Sequence, residues 1–175
     1  MTYLLVIIAI VALLFGVVVF RGSPYVPSRK ADIIQALNEL YPLNSKDLLV
    51  DIGSGDGVVL REAARIGAMA VGYEINPILV IISRFLSRKY KKITINFADF
   101  WLSQLPDATT VVYVFSASRD MNRIAKKIKN EANRLGRPIN IISYGSKFND
   151  IKSSRNVGAY YLYVIKPLQL IKAQV

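Results

Sequence analysis

Asp51, Gly53, Gly55 and Gly57 stand at alternate positions in the stretch Leu48-Leu-Val-Asp-Ile-Gly-Ser-Gly-Asp-Gly57. An apolar run enters, an acid closes it, and glycines follow. That is the pattern of a buried strand turning sharply into a loop whose backbone approaches a ligand. Glycine suits the task, because a Cβ would block the approach or forbid the positive φ such turns use. A helix-forming run over 58–66 comes next. The loop, with Ser54 inside it, therefore gathers backbone N–H groups at a helix N-terminus and turns them toward a ligand. Binding of a nucleotide-type cofactor is the chemistry implied.

Charge narrows the cofactor. The dinucleotide fingerprint G-x-G-x-x-G fails at its last glycine, where Val58 stands, and no Gly-Lys-Ser/Thr of a phosphate-binding P-loop exists. Asp51 and Asp56 put two carboxylates where a pyrophosphate would lie, and that repulsion is costly in a partly desolvated site. A phosphate-free cofactor with a cationic amino-acid end is attracted instead, and S-adenosylmethionine is such a cofactor. Glu74 follows Gly53 by 21 residues, close to the roughly 20-residue spacing of a carboxylate that binds ribose hydroxyls.

Composition limits what else the chain can do. Its 175 residues contain no cysteine and no histidine. Disulfides, thiolate nucleophiles, the commonest metal ligands and the commonest general base are therefore unavailable, and no metal site is expected. Any reaction runs on carboxylates, tyrosines, serines, lysines or a cofactor. The net charge of +11 suits a domain held beside an anionic membrane leaflet. It also suits nucleic acid, but the basic residues are dispersed and lack an interleaved aromatic platform.

The elements that must position these residues alternate. Strands are expected over 48–52, 69–73, 92–97, 110–115, 139–144 and 160–165, with a short last one over 168–173. Helices are expected over 29–40, 58–66, 77–90 and 120–135, with no full helix between the fifth and sixth strands. This is an α/β chain, a Rossmann-like doubly wound parallel sheet, with ligands at the carboxyl ends of the strands. Asp51, Glu74 and Asp99 close the first three strands and converge on one crevice.

Residues 2–20 carry no charge and are almost wholly apolar. At ~1.5 Å per residue they match the ~30 Å hydrocarbon core of a bilayer. Arg21, Arg29 and Lys30 follow, with no basic side chain before. The positive-inside rule then places the N-terminus outside and the domain in the cytoplasm. The organisation expected is a transmembrane anchor over 1–21, a proline-containing linker and first helix over 22–45, and the catalytic domain over 46–175. Ser28 is the expected N-cap of that helix.

Together, Pro24-Tyr-Val-Pro-Ser28, Val50-Asp-Ile-Gly-Ser-Gly-Asp-Gly57 and Gly72-Tyr-Glu-Ile-Asn-Pro77 resemble the class I, seven-β-strand methyltransferases. Within that superfamily they are similar to the membrane-anchored protein lysine methyltransferases of the ATP synthase c-subunit and adenine nucleotide translocase type. The likeness holds from Pro24 to about Trp101 and fades beyond Phe115. It implies that Asp51, Gly53, Ser54, Gly55, Gly57, Glu74 and Asn76 bind S-adenosylmethionine, with Asp99 and Phe100 at its adenine. The anchor, by confining the domain to the membrane surface, adds the expectation of a membrane-protein acceptor. For catalysis, Tyr25 from the linker and Phe115 with Ser116 after the fourth strand are expected to wall the acceptor channel, and Asp99 is the nearest carboxylate to position an amine. Basic residues of the 120–135 helix and its start (Arg119, Arg123, Lys126, Lys127, Lys129 and Arg134) form either a solvated face or one held against lipid headgroups. Two other functions fit the same motifs: methylation of a lipid or quinone-like small molecule, and a non-catalytic cofactor-binding membrane scaffold.

Overall fold

The computed structural model describes Tyr3, Leu5, Val6 and residues 29–115 and 118–169; of Ser118 and Arg119 only the backbone is described. Two expected catalytic residues, Tyr25 and Ser116, lie outside the described residues, and so does nearly all of the expected span. Tyr3, Leu5 and Val6 are helical and exposed. Among the described residues, no helix is long and apolar enough to cross a membrane.

The strands are β1 (Leu48–Ile52), β2 (Met69–Glu74), β3 (Ile93–Phe97), β4 (Val111–Phe115), β5 (Ile139–Tyr144), β6 (Arg155–Val157) and β7 (Tyr160–Ile165). They form one sheet ordered β3-β2-β1-β4-β5-β7-β6. The first five run parallel, and β7 pairs antiparallel with both β5 and β6. The sheet is covered on both faces, so β1 and β4 can be continuously apolar, and their burial bears this out.

On one face lie α1 (Lys30–Gln35), α2 (Val58–Ile66) and α3 (Pro77–Ser87). Ile33, Leu37, Leu40 and Leu60 pack there with Leu49 and Val111. On the other face lies α4 (Ser118–Leu135), whose Met121, Ile124 and Ile128 pack on Val50, Val112 and Val114. Each such side chain, fully buried, contributes about 1.5–3 kcal/mol.

Several sequence-based expectations need correction. Arg29, not Ser28, occupies the N-cap position of α1, in extended conformation and without a side-chain cap. The helix ends in a π-turn over Ala36–Leu40, so Leu40 stays buried as the chain widens toward β1. The strand expected sixth is β7; β6 is three residues long and joined to it by a two-residue turn. Gly158 has φ +55° at the first turn position, as a type II′ hairpin requires. No strand follows β7 within the described residues: Leu168 and Gln169 are helical, and the remainder of the expected last strand lies outside them. The β5–β6 connection carries no helix, as expected, and Phe148 packs edge-on against Tyr163 in its place.

At the amino ends of the strands, Asp47 is buried and fully used. Its carboxylate accepts from Tyr41 Oη (3.0 Å), Asn44 N (2.9 Å), Asn44 Nδ2 (2.7 Å) and Thr110 Oγ1 (2.8 Å). Burial and the Asp47 charge push the Tyr41 phenol up to about 12. This network ties α1, β1 and β4 together at the end of the sheet away from the crevice.

Candidate active site

At the carboxyl ends, β1 gives way to the glycine loop. The N–H groups of Gly53 and Ser54 both donate to Tyr73 O (2.9 and 3.1 Å), which folds the loop over β2. Gly53, Gly55 and Gly57 have φ of +71°, +53° and +80°, values that exclude most side chains on backbone grounds alone. A Cβ on Gly57 would lie 2.3 Å from Ser83 Oγ, whereas one on Gly53 would meet nothing within 4 Å. The space above Gly53 is open to a ligand.

Glu74 organises that loop. One carboxylate oxygen accepts from Gly55 N (2.9 Å) and the other from Asn76 N (2.8 Å). Its own carbonyl accepts from Ala98 N at 3.1 Å, which brings the β3 exit to the same place. Asp51 and Gly72 are register partners, so Asp51 and Glu74 project from the same face of the sheet. Asp51 is 3% exposed and accepts no hydrogen bond among the described residues. Burial, then the Glu74 charge, then the Asp56 charge push its carboxyl up to about 8. Asp56 is the third acid of the cluster. Its side chain accepts from Val58 N and from Arg61, whose guanidinium also donates to the Asp56 carbonyl. Arg61 carries no motif signal, because its work depends on one helical turn folding back.

The other expected residues divide. Ser54 is buried, and its Oγ lies against Gly72, where a Cβ would come within 2.5 Å of it. That hydroxyl has no hydrogen-bond partner among the described residues, and the backbone of Ser54 borders the crevice. Asn76 uses its side-chain oxygen to cap α3, accepting from Ile78 N (3.0 Å) and Leu79 N (3.4 Å). It serves the site by positioning Glu74. Asp99 is exposed, and its carboxylate caps the short turn after β3 by accepting from Trp101 N at 2.8 Å. The Phe100 ring is buried against Tyr73 and Trp101, with centroids at 6.1 and 5.5 Å. That ring is packed into the core between Tyr73 and Trp101 and has no open face.

Three of the basic residues of α4 are occupied. Arg123 stacks 3.9 Å above the Trp101 ring, and Lys127 donates to Trp101 O (3.3 Å) and Ser103 O (2.7 Å). Arg134 bonds Leu105 O, Asp107 and the buried Glu131. These three fasten the β3–β4 connection; they are neither simply solvated nor spare for headgroups. The sequence pattern alone could not show this, because the partners on that connection lie 22–29 residues away.

The motifs give no sign of one further feature at the crevice. Phe115 ends β4 opposite Tyr144 of β5. Their rings are 5.3 Å apart, Tyr144 and Tyr160 are 4.7 Å apart, and Tyr160 touches Tyr113 through their hydroxyls at 3.3 Å. Phe115 and Tyr144 are half-buried. The row shares the face of the sheet that carries Asp51, since Asp51 and Tyr113 are register partners.

A seven-stranded sheet with this order, an acid-ended β1 and a glycine loop define a methyltransferase fold. An RNA methyltransferase from Salinibacter ruber, solved in complex with S-adenosyl-L-homocysteine, superimposes with a TM-score of 0.70. It is 25% identical, and the match covers 81% of this chain and 94% of that one. Residues 51–155 match the ANTKMT methyltransferase domain, and the chain belongs to that family. The ATP synthase c-subunit lysine N-methyltransferase of Xenopus laevis is 37% identical over 121 residues, 66% of this chain and 51% of that protein. The Homo sapiens protein of the same name is 36% identical over 112 residues, 62% and 46% of the respective chains. The chain thus spans about half the length of the curated relatives it matches.

Proposed function

We propose that the chain is an S-adenosylmethionine-dependent methyltransferase that methylates a lysine of a membrane-associated protein. Asp51 carries this reading: it is a buried carboxylate without a donor, flanked by two further acids beneath an open glycine loop. Such a cluster rejects phosphate and needs a cation. Glu74 uses one acceptor site of each oxygen on Gly55 and Asn76. A carboxylate offers about four lone-pair sites, so two remain for ribose hydroxyls. The residues present therefore fit the cofactor, which supplies when bound a methyl group on a sulfonium, open to displacement by a nucleophile.

The acceptor side rests on the aromatic row. A lysine must present a neutral amine, although its ordinary pKa is about 10.4. Half-buried Phe115 and Tyr144 beside the crevice strip water from an incoming side chain, which favours the neutral form. Tyr25 and Ser116 would complete the wall, and Asp99, exposed at the β3 exit, would meet the approaching amine. The relatives named for lysine methylation of an ATP synthase subunit support this acceptor class.

The anchor belongs to the same reading. Residues 2–20, uncharged and followed by Arg21, Arg29 and Lys30, would span the bilayer with the catalytic domain on the cytoplasmic side. Confinement beside membrane targets raises their effective concentration without new contacts. A second reading, methylation of RNA, has the net charge of +11 and the Salinibacter neighbour in its favour.

Transfer of labelled methyl from S-adenosylmethionine to membrane and ribosomal extracts, followed by separation into protein, lipid and RNA, tests the proposal. The expected label lies in protein, on lysine, and is absent with the Glu74→Ala variant. Label confined to lipid or RNA would sink the lysine assignment, and cofactor binding without any transfer would favour a scaffold.

A further inference from the structure

α3 is packed the wrong way round for a soluble helix. Pro77-Ile-Leu-Val-Ile-Ile-Ser-Arg-Phe-Leu-Ser87 turns Val80, Ser83 and Ser87 inward, and the hydroxyls of both serines are buried without a partner. Ile81 and Phe85 are 67% and 62% exposed, and Ile82 and Leu86 are exposed beside them. At spacings of three and four these residues form one continuous stripe along the helix. An exposed apolar stripe of this kind marks an interaction surface.

Charge says what meets it. Between Glu74 and Asp99 the sequence holds no acid, while Arg84, Arg88, Lys89, Lys91 and Lys92 border the stripe and its C-terminal end. All five are exposed, and none is ion-paired among the described residues. Arg84, Arg88 and Lys92 also donate to the carbonyls of Ile95, Phe85 and Gly67, and Arg88 stacks on the Phe85 ring, so Lys89 and Lys91 are the cations best placed for headgroups. A second copy of the chain would set these cations against their own kind. The uncharged stretch at 2–20 would cover the stripe but leave the cations unmatched. Anionic lipid satisfies both parts, with acyl chains against the isoleucines and Phe85, and headgroups against the basic rim.

We propose that α3 is a second membrane contact, lying in the interface of an anionic bilayer with Ile81, Ile82, Phe85 and Leu86 immersed. α3 starts three residues after Glu74, and its cap, Asn76, donates to that carboxylate. Docking along α3 therefore holds the cofactor crevice beside the bilayer surface and fixes its orientation. A tether alone would leave the domain free to tumble. The proposal needs neither a lysine acceptor nor any methyl transfer.

The chain contains no cysteine, so a single introduced one takes a spin label uniquely. The full chain carrying Ile81→Cys or Phe85→Cys is labelled and reconstituted into phosphatidylcholine vesicles with and without phosphatidylserine. Access of the label to oxygen and to a water-soluble nickel chelate is then read. A label at Lys129→Cys on α4 is the aqueous control. Circular dichroism and S-adenosylmethionine binding verify that each variant is folded. The expected result is a several-fold rise in the oxygen-to-chelate ratio at 81 and 85 with phosphatidylserine, and none at 129. That rise shrinks with Lys89→Gln and Lys91→Gln, and in high salt. Labels that stay aqueous in every vesicle would overturn the proposal. The same protection in detergent without lipid would assign the stripe to the chain's own N-terminal segment. Spin–spin broadening would assign it to a second copy, and either result would also overturn it.

Discussion

Asp47 stands just before β1 and Asp51 near its carboxyl end, four residues apart; both are nearly inaccessible, and the fold treats them in opposite ways. Asp47 is met by four donors from three residues. Asp51 is met by none among the described residues and faces two more carboxylates. The amino end of the sheet commits its polar groups to holding the fold together. The carboxyl end leaves Asp51 without a protein donor among the described residues, and burial and the charges of Glu74 and Asp56 make its ionisation costly until something cationic arrives. A nearly buried acid whose pKa is raised by burial and by neighbouring acids marks a candidate ligand site.

Removing the charge of Asp51 gives the largest expected effect. Its folded-state carboxyl is raised from 3.8 to about 8, so the folded chain holds a proton that the unfolded chain has released between those values. Stability therefore falls as pH rises from about 4 to about 8. Asp51→Asn abolishes that slope and raises stability above pH 8 by on the order of 3–5 kcal/mol, read as urea midpoints across pH. The same variant loses S-adenosylmethionine affinity by roughly 10–100-fold, the scale of a charged hydrogen bond. In the wild type, bound cation favours the ionised carboxylate, so affinity climbs with pH up to about 8 and calorimetry detects proton release. A pH-independent affinity would remove Asp51 from the site.

Asp47→Ala has the opposite signature. It leaves Tyr41, Asn44 and Thr110 with donors pointed at nothing, and costs about 2–3 kcal/mol of stability. Cofactor affinity of the folded protein is unchanged, because the network lies at the far end of β1. If Asp47→Ala weakened the cofactor as much as Asp51→Asn, the division between the two ends of the sheet would fail.

The sequence shows the two ends unequally. The strands β1 to β5 are legible to within a residue or two, because apolar runs closed by acids or glycines survive as local patterns. β6 is not, since Arg155-Asn156-Val157 is mostly exposed and held only by pairing with β7. The glycine loop and Glu74 are legible as a candidate cofactor site. That Glu74 orders the loop through Gly55 and Asn76 is not, because the bonds cross 19 residues in one direction and two in the other. Composition also hides which way α3 faces. Its run of isoleucine and leucine is apolar all round, and only the structure shows that the serines turn in. Ser54 reads as a ligand from its place in the motif, and only the structure shows its hydroxyl against Gly72.

The two glycines at the ends of the loop differ in the same way on a smaller scale. Both have positive φ, so an alanine at either carries a left-handed backbone cost of about 1–2 kcal/mol. Gly57→Ala adds a clash, since its Cβ would fall 2.3 Å from Ser83 Oγ. Ser83→Ala alone is close to neutral, because the hydroxyl it removes is buried without a partner. In the double variant the nearest contacts relax to Ser83 Cβ and Arg61 Nη1, both at 3.4 Å. The steric part is recovered there and the backbone part remains, a positive coupling in a double-mutant cycle. Gly53→Ala meets no protein atom and costs stability only through its φ. Its methyl group nevertheless stands in the space above the loop, so S-adenosylmethionine affinity drops further than in the Gly57→Ala, Ser83→Ala double variant. Urea titration and calorimetry on the same samples separate the two effects. Wild-type affinity in Gly53→Ala would mean that the open space over the loop is not where the cofactor lies.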